Sequence, residues 1–319
     1  MTLPLSPPLK PELALSRKAL PTGEDYVYEV KLDGFRCIAF VDGEDVFLQS
    51  RNGRPLGRYF PELSFPPGQY VLDGEIVVRD AGGREDFDAL GQRVHPAASR
   101  VQRLAVETPA VFIAFDLLAY EENSWLEQPF AQRRTGLERL FEAELFVDAP
   151  VELMVSVDTP QAAEPWLEDA EGVIAKERSA PYLPGERKGM VKVKRTRTID
   201  AVVTGWRPGK EEHTVGALIL ALYDGEQLRV VGHCSGLTAK VKRELVDFFA
   251  PYETGDRGSS DPSRWSAERN LEWVALRPEL VVEIDFDHVS AGRIRHGAKL
   301  KRWREDKPAR ECTIDQLES

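Results

Sequence analysis

The sequence predicts an α+β fold in two domains, built mainly from antiparallel sheets. Three observations carry this. Gly, Pro and Asp punctuation cuts the 319 residues into short β-branched and aromatic runs. Helical spacing is confined to a few segments and does not alternate with strands as a parallel sheet requires. The character of the chain then changes near residues 199–200, just after a basic run. At roughly 150 residues per domain the length suits two domains, 1–198 and 199–319.

Strands are predicted at Tyr26–Val30, 37–41, 46–49, 70–78 and 111–118, each bounded by Gly, Asp or Pro. Leu137, Leu140, Phe141 and Leu145 fall on one helical face, which predicts a helix over 132–146, and a shorter helix is expected at 162–170. The last third offers strands at 201–206, 216–223, 228–234 and 280–286, a helix at 240–249 and a polar loop from 254 to 270. About five short strands in some 120 residues suit a small barrel such as an OB fold.

Composition excludes several classes. With 42 Lys+Arg against 53 Asp+Glu the net charge is −11, which argues against a surface uniformly basic for nucleic acid but not against a local groove. No run approaches the roughly 18 apolar residues of a membrane span. Residues 1–10 lack the charged and apolar regions of a secretory signal, so a cytoplasmic protein is expected. Cys37, Cys234 and Cys312 lie far apart, which predicts a reducing compartment with neither a disulfide framework nor a zinc cluster.

Charged residues inside strand patterns carry the chemistry. Lys31 ends a strand in Glu29-Val30-Lys31-Leu32-Asp33-Gly34-Phe35-Arg36 and is followed by an expected tight Asp-Gly turn. A lysine becomes a nucleophile when desolvation or a second cation favours its free amine. Arg36, and Arg51 in Ser50-Arg51-Asn52-Gly53, offer planar forks for an anion. Asp73-Gly74-Glu75 sets two carboxylates on one strand face. Phe115 precedes a charge inside an apolar strand, Glu171 opens the strand Gly172-Val173-Ile174-Ala175-Lys176, and Lys192 and Lys194 share a face. A solvated hairpin explains any one of these segments but not all of them together.

The ordered series K-x-D-G-x-R, S-R-x-G, D-G-E, F-D-L-L, E-G-V-x-x-K and K-x-K resembles the ATP-dependent DNA ligases of the covalent nucleotidyltransferase superfamily. Residues 277–283, 301–308 and 312–317 resemble the C-terminal end of the bacterial ligase C group and of the ligase module of ligase D. The resemblance implies a nucleotidyltransferase core, of the kind shared by DNA ligases and mRNA capping enzymes, followed by an OB-fold barrel. It makes Lys31 the nucleophile that takes AMP from ATP and passes it to a 5′-phosphate, after which the 3′-hydroxyl seals the strand. Lys192 and Lys194 would neutralise the α-phosphate, and Glu75 and Glu171 would hold Mg²⁺, with Mn²⁺ as an alternative, or order the ribose. Phe115 would stack on adenine, Glu29 would accept from its amine, and Arg36 and Arg51 would bind ribose or the nick 5′-phosphate. Arg302, Arg304, Asp306 and Lys307 resemble the last motif, which closes over the β- and γ-phosphates. Leu32 and Met190 stand where this group commonly has Trp and an aromatic residue.

The implied partners are nicked or broken duplex DNA and Ku or other repair proteins, for a monomeric, nucleoid-associated bacterial enzyme. The basic runs 187–197 and 293–307 are expected to form the DNA groove, and residues 196–200 the hinge. An RNA ligase or GTP-using capping enzyme of the same superfamily, and a non-catalytic DNA-binding module, are the competing readings.

Overall fold

In the computed structural model the chain forms two compact units, Met1–Arg195 and Thr196–Ser319. Residues 3–195, 197–260, 271–287, 289, 290, 292–295 and 297–317 are described.

The first unit contains two sheets. In the larger, Gly68–Val78 runs antiparallel between Phe35–Gly43 and Ala110–Tyr120, with Asp45–Ser50 outside Phe35–Gly43. Strand alternation divides Gly68–Val78 in two. Tyr70, Leu72, Ile76 and Val78 enter the main core with Leu90, Phe112 and Leu137, while Asp73 and Glu75 take the other face. Gly74 between them is dictated by packing, because a Cβ there would meet the Phe112 ring at 2.4 Å and the Ile113 carbonyl at 2.5 Å. The helix Phe130–Glu142 covers Ala110–Tyr120. Its Arg133 reaches the buried Asp116 through Nε at 2.7 Å and Nη2 at 3.0 Å.

The smaller sheet orders its strands Leu15–Ser16, Met190–Lys194, Gly172–Glu177, Tyr26–Val30 and Ser156–Val157. Its register decides which side chains share a face. Ile174 pairs with Glu29 on one side and Lys192 on the other, and Lys194 pairs with Gly172. One face therefore carries Glu29, Ile174, Lys176, Met190, Lys192 and Lys194, while Tyr28, Val173 and Ala175 pack into a small core on the other.

The second unit is a closed barrel. Arg197–Pro208, Val215–Asp224 and Gln227–Gly236 form an antiparallel meander, Gln227–Gly236 pairs in parallel with Ala298–Trp303, and Leu271–Phe286 bonds both to that strand and back to Arg197–Pro208. The helix Ala239–Phe249 follows the third strand, capped by Thr238, and buries Leu245 and Phe249. This is the OB-fold order, and Val202, Leu218, Leu220, Val282 and Ile284 fill it.

Local expectations change in several places. Lys31–Gly34 is not a hairpin turn, because Tyr26–Val30 and Phe35–Gly43 belong to different sheets and the segment crosses between them. The 162–170 segment is two short helices, Pro160–Ala163 and Trp166–Asp169, broken where Pro165 removes a donor. Helices Phe87–Arg93 and Ala98–Glu107 add to the expected elements. The start of the expected 254–270 loop is strand, Glu253–Ser260, and residues 261–270 lie outside the described ones. Of the hinge segment, Thr196 lies outside the described residues and Arg197 onward is strand.

Candidate active site

A pocket of about 300 Å³ opens in the first unit where the charged face of the smaller sheet meets the Asp73–Glu75 face of the larger. Lys31, Glu29, Arg36, Arg51, Glu75, Phe115, Lys192 and Lys194 all line it. Leu32 and Met190 line it too, as apolar wall.

Lys31 owes its position to the crossover. Its N–H continues the ladder to Gly172 O at 2.9 Å, and the Asp33 N–H donates to Glu85 Oε2 at 2.9 Å. Gly34 is glycine because of a close approach, since a Cβ would lie 2.4 Å from Ile76 O and 2.7 Å from Glu75 Cγ. The Asp-Gly pair thus lets the loop lie against the carboxylate strand. Lys31 Nζ donates to Glu171 Oε2, and Lys194 Nζ stands 3.5 Å from Glu171 Oε1. Gly172 behind Glu171 has φ +146° and no room for a side chain, with Val193 O 2.2 Å from an ideal Cβ.

The inner end of the pocket is built on buried charge. Glu29, 2% exposed, accepts from Lys176 Nζ at 2.8 Å through Oε2, while its Oε1 has no hydrogen-bond partner and Arg134 Nη1 stands 3.8 Å off. Burial raises the Glu29 carboxyl, and Lys176 pulls it back. Phe115 is the extra residue of a β-bulge, since Asp116 pairs with Asp73 and Ala114 with Gly74. Such bulges re-aim a side chain beside a site. Arg36 Cζ lies 4.5 Å and Lys176 Nζ 4.4 Å from the Phe115 ring centroid. Arg36 is held by Asp73, with Nε and Nη2 each 2.6 Å from its oxygens, and Tyr182 Oη donates to Asp73 at 2.5 Å.

The outer end is crowded with cations. Burial lowers the Lys192 ammonium, and repulsion from Lys194, Lys31, Arg51 and Arg187 adds to it. Lys31 and Lys194 share Glu171, and among the described residues no carboxylate is paired with Arg51, so cations outnumber acids at this end and it suits an anion. Opposite, burial and repulsion from Asp73 and Glu171 push Glu75 up to about 8, against the pull of Arg36 and Lys31. Two crowded hard-oxygen donors fit Mg²⁺, which typically takes one or two carboxylates and completes its shell with water and phosphate oxygens. Among the described residues no group of three or more His, Cys, Asp or Glu side chains forms a self-sufficient metal cage.

Lys176, Asp73 and Arg187 lie in the motifs and basic run of the sequence without an assigned role in this pocket, and Glu12 lies outside every motif; all four join the site. Lys176 carried a signal, being a lysine inside an apolar strand, and it is 4% exposed between Glu29 and the Phe115 carbonyl. Glu12 lies in a proline-rich segment with no strand pattern. It is 2% exposed, its Oε1 has no hydrogen-bond partner, and burial with repulsion from Asp116 pushes it up to about 8.

Arg302, Arg304 and Lys307 belong to the second unit and are held there by acids. Arg302 Nε meets Glu283 at 2.5 Å, and Arg304 Nη1 and Lys307 Nζ meet Asp200 at 2.9 and 3.1 Å. Lys301 also sits on Glu283, at 3.0 Å. Much of the basic run 293–307 is therefore internally neutralised rather than a bare phosphate surface.

Fold and pocket define a two-unit nucleotidyltransferase with an OB-fold partner. Residues 11–194 match the family described as ATP dependent DNA ligase domain, and residues 211–307 the ATP dependent DNA ligase C terminal region. The chain is 42% identical to DNA ligase C1 of Mycolicibacterium smegmatis over 340 residues, covering 100% of this chain and 96% of the relative. It is 40% identical to DNA ligase C of Mycobacterium tuberculosis, with coverage of 100% and 96%. A solved mycobacterial DNA ligase D complexed with ATP and MES is 27% identical and superposes with a TM-score of 0.53, covering 96% of this chain and 98% of that one. The chain belongs to the ATP-dependent DNA ligase family. Among the described residues no helix is long and apolar enough to cross a membrane.

Proposed function

We propose that the first unit is the adenylation domain of an enzyme that seals 5′-phosphate/3′-hydroxyl nicks in duplex DNA through Lys31, with the second unit as its OB-fold domain. The observation that supports this reading is the pocket, lined by Lys31 together with the buried Glu29, Phe115 and Lys176 and with the crowded cations Arg51, Arg187, Lys192 and Lys194.

ATP is the first substrate. Its adenine would lie on Phe115, with the 6-amino group donating to the unfilled Glu29 Oε1. Guanine presents a carbonyl at that position, and two acceptors facing each other disfavour GTP. Lys31 attacks through its nitrogen lone pair, and Glu171, already in contact with Nζ, is placed to orient the amine and take its proton. The P–N bond forms as the bond from the α-phosphorus to the bridging oxygen breaks, and pyrophosphate leaves. Lys192 and Lys194 stabilise the charge on the α-phosphate, where positioning and electrostatics dominate. A 5′-phosphate oxygen of the nicked strand then displaces Lys31 from the AMP. The 3′-hydroxyl attacks the activated phosphate, joining the strand and releasing AMP. Glu75 and Glu171 would hold Mg²⁺, which supplies Lewis-acid neutralisation of phosphate oxygens, with Mn²⁺ as a substitute.

We assign the enzyme to DNA repair as a cytoplasmic monomer, with Ku or another repair protein delivering broken ends. DNA binding through cations weakens steeply with added salt. Nick sealing tests the reading. The purified protein should seal nicked duplex DNA with ATP and Mg²⁺, poorly with GTP, and Lys31→Ala should be inactive from ATP. Sealing of nicked RNA in preference to DNA, or equal use of GTP, would contradict it.

A further inference from the structure

In the second unit one buried carboxylate organises the cations of the last motif. Asp200, 8% exposed, lies near the start of Arg197–Pro208, before that strand begins pairing with Val215–Asp224 at Val202. Its backbone is gripped there by a side chain from the tail, because Asp200 N donates to Gln316 Oε1 at 3.0 Å and Gln316 Nε2 donates to Asp200 O at 3.1 Å. A single amide thus fills the donor and acceptor positions that a neighbouring strand would otherwise take.

The carboxylate faces two cations. Arg304 Nη1 is 2.9 Å from both oxygens, and Lys307 Nζ is 3.1 Å from Oδ2. The rest of the Arg304 fork is closed by Asp306, with Nε and Nη2 each at 2.9 Å. The Arg304 N–H donates to Val281 O at 2.9 Å, and the Lys307 N–H to Arg304 O at 3.2 Å, so the turn between them is fixed. The cross-strand partner of Asp200 is Glu283, which holds Lys301 and Arg302.

We propose that Asp200 is a positioning residue for the transfer from ATP. Clamped by Gln316, it holds the Arg304 fork rigid and aims Lys307 so that the ammonium presents its remaining donors to the β- and γ-phosphates. This rests on the reading of the chain as an ATP-dependent ligase. Arg304 spends Nε, Nη1 and one direction of Nη2 on two carboxylates and acts mainly as scaffold. An ammonium carries three donors, and the Asp200 contact occupies one direction of the Lys307 group, leaving capacity for phosphate. With the Arg304 and Lys307 side chains still about a fifth exposed, these pairs are not chiefly a source of stability. A carboxylate locked at backbone and side chain instead secures geometry, on which phosphoryl transfer depends.

The assignment separates the reaction steps, because the final step uses no β- or γ-phosphate. Asp200→Asn should slow single-turnover adenylation of Lys31 at least about tenfold and raise KM for ATP. It should leave sealing of a pre-adenylated nick within about twofold. Asp200→Glu should recover part of the adenylation rate. Adding Lys307→Ala to Asp200→Asn should cost less than the product of the two single effects, since both act on one interaction. Equal losses on adenylation and on pre-adenylated sealing would mark Asp200 as merely structural and overturn the proposal, as would unchanged adenylation. A wild-type protein unable to take AMP from ATP would instead sink the ligase reading itself.

Discussion

The two sets of cations proposed to meet phosphate are arranged in opposite ways. In the first unit Lys31, Lys192, Lys194, Arg51 and Arg187 crowd together with Glu171 as the acid in contact, and the crowding pulls the Lys192 ammonium down. In the second unit Lys301, Arg302, Arg304 and Lys307 each rest on a carboxylate. The first is a site under electrostatic tension that an anion relieves. The second is satisfied at rest and yields only part of its bonding capacity. Substrate binding should therefore depend mainly on the first set and step-specific organisation on the second.

The largest expected effect tests the first half of that contrast. Lys192→Ala and Lys194→Ala should each slow adenylation by about 10²–10³-fold, the scale typical of removing a charge-stabilising donor. AMP, which carries only the α-phosphate, should raise the Tm of the wild-type protein and do so much less in Lys192→Ala, whereas Arg302→Ala should keep the full AMP response. An equal loss of response in Arg302→Ala would erase the contrast.

A smaller effect is expected at the base end. Glu29→Gln replaces one acceptor oxygen by an amide that can donate to a guanine carbonyl. The ratio of ATP to GTP use in adduct formation should fall by at least about 10²-fold, within the range open to a site that reads a hydrogen-bonding group. An unchanged ratio would remove Glu29 from base recognition.

The last expected effect concerns stability. The Glu12 carboxyl is pushed up to about 8, first by burial. The folded chain then keeps a proton that the unfolded chain loses above about pH 4.5. Stability should fall as pH rises from about 5 to 8, by at most ~1.4 kcal/mol per pH unit from this group, and level off above. Glu12→Gln should remove that slope, so its Tm relative to wild type should improve from pH 5 to pH 8. Parallel Tm profiles would show that Glu12 does not hold the proton.

Legibility in the sequence divides along the same line. Lys31, Glu75, Phe115, Glu171, Lys192 and Lys194 were legible because charged or aromatic residues inside short strands obey period two, and the register then puts Glu29, Ile174 and Lys192 in one row. Lys176 closes the E-G-V-x-x-K motif, but its role stays hidden because a lone lysine in an apolar run looks like a strand end until its partner Glu29 is in place. Glu12 could not be read, since only the fold brings it to Tyr182, whose hydroxyl accepts from the Glu12 N–H at 3.0 Å. Asp33-Gly34 reads as a hairpin locally, and only the separation of its flanking strands into two sheets makes it a crossover. The carboxylate shared by Arg304 and Lys307 was invisible for the same reason, with Asp200 more than a hundred residues upstream of Arg304.

The central claim is that Lys31 is the nucleophile that takes AMP from ATP. Mass spectrometry of the protein after incubation with ATP and Mg²⁺, followed by peptide mapping, tests it directly. The account predicts a single AMP adduct on Lys31, lost on adding pyrophosphate and absent from Lys31→Ala. No adduct, or an adduct on another residue that persists in Lys31→Ala, would contradict it.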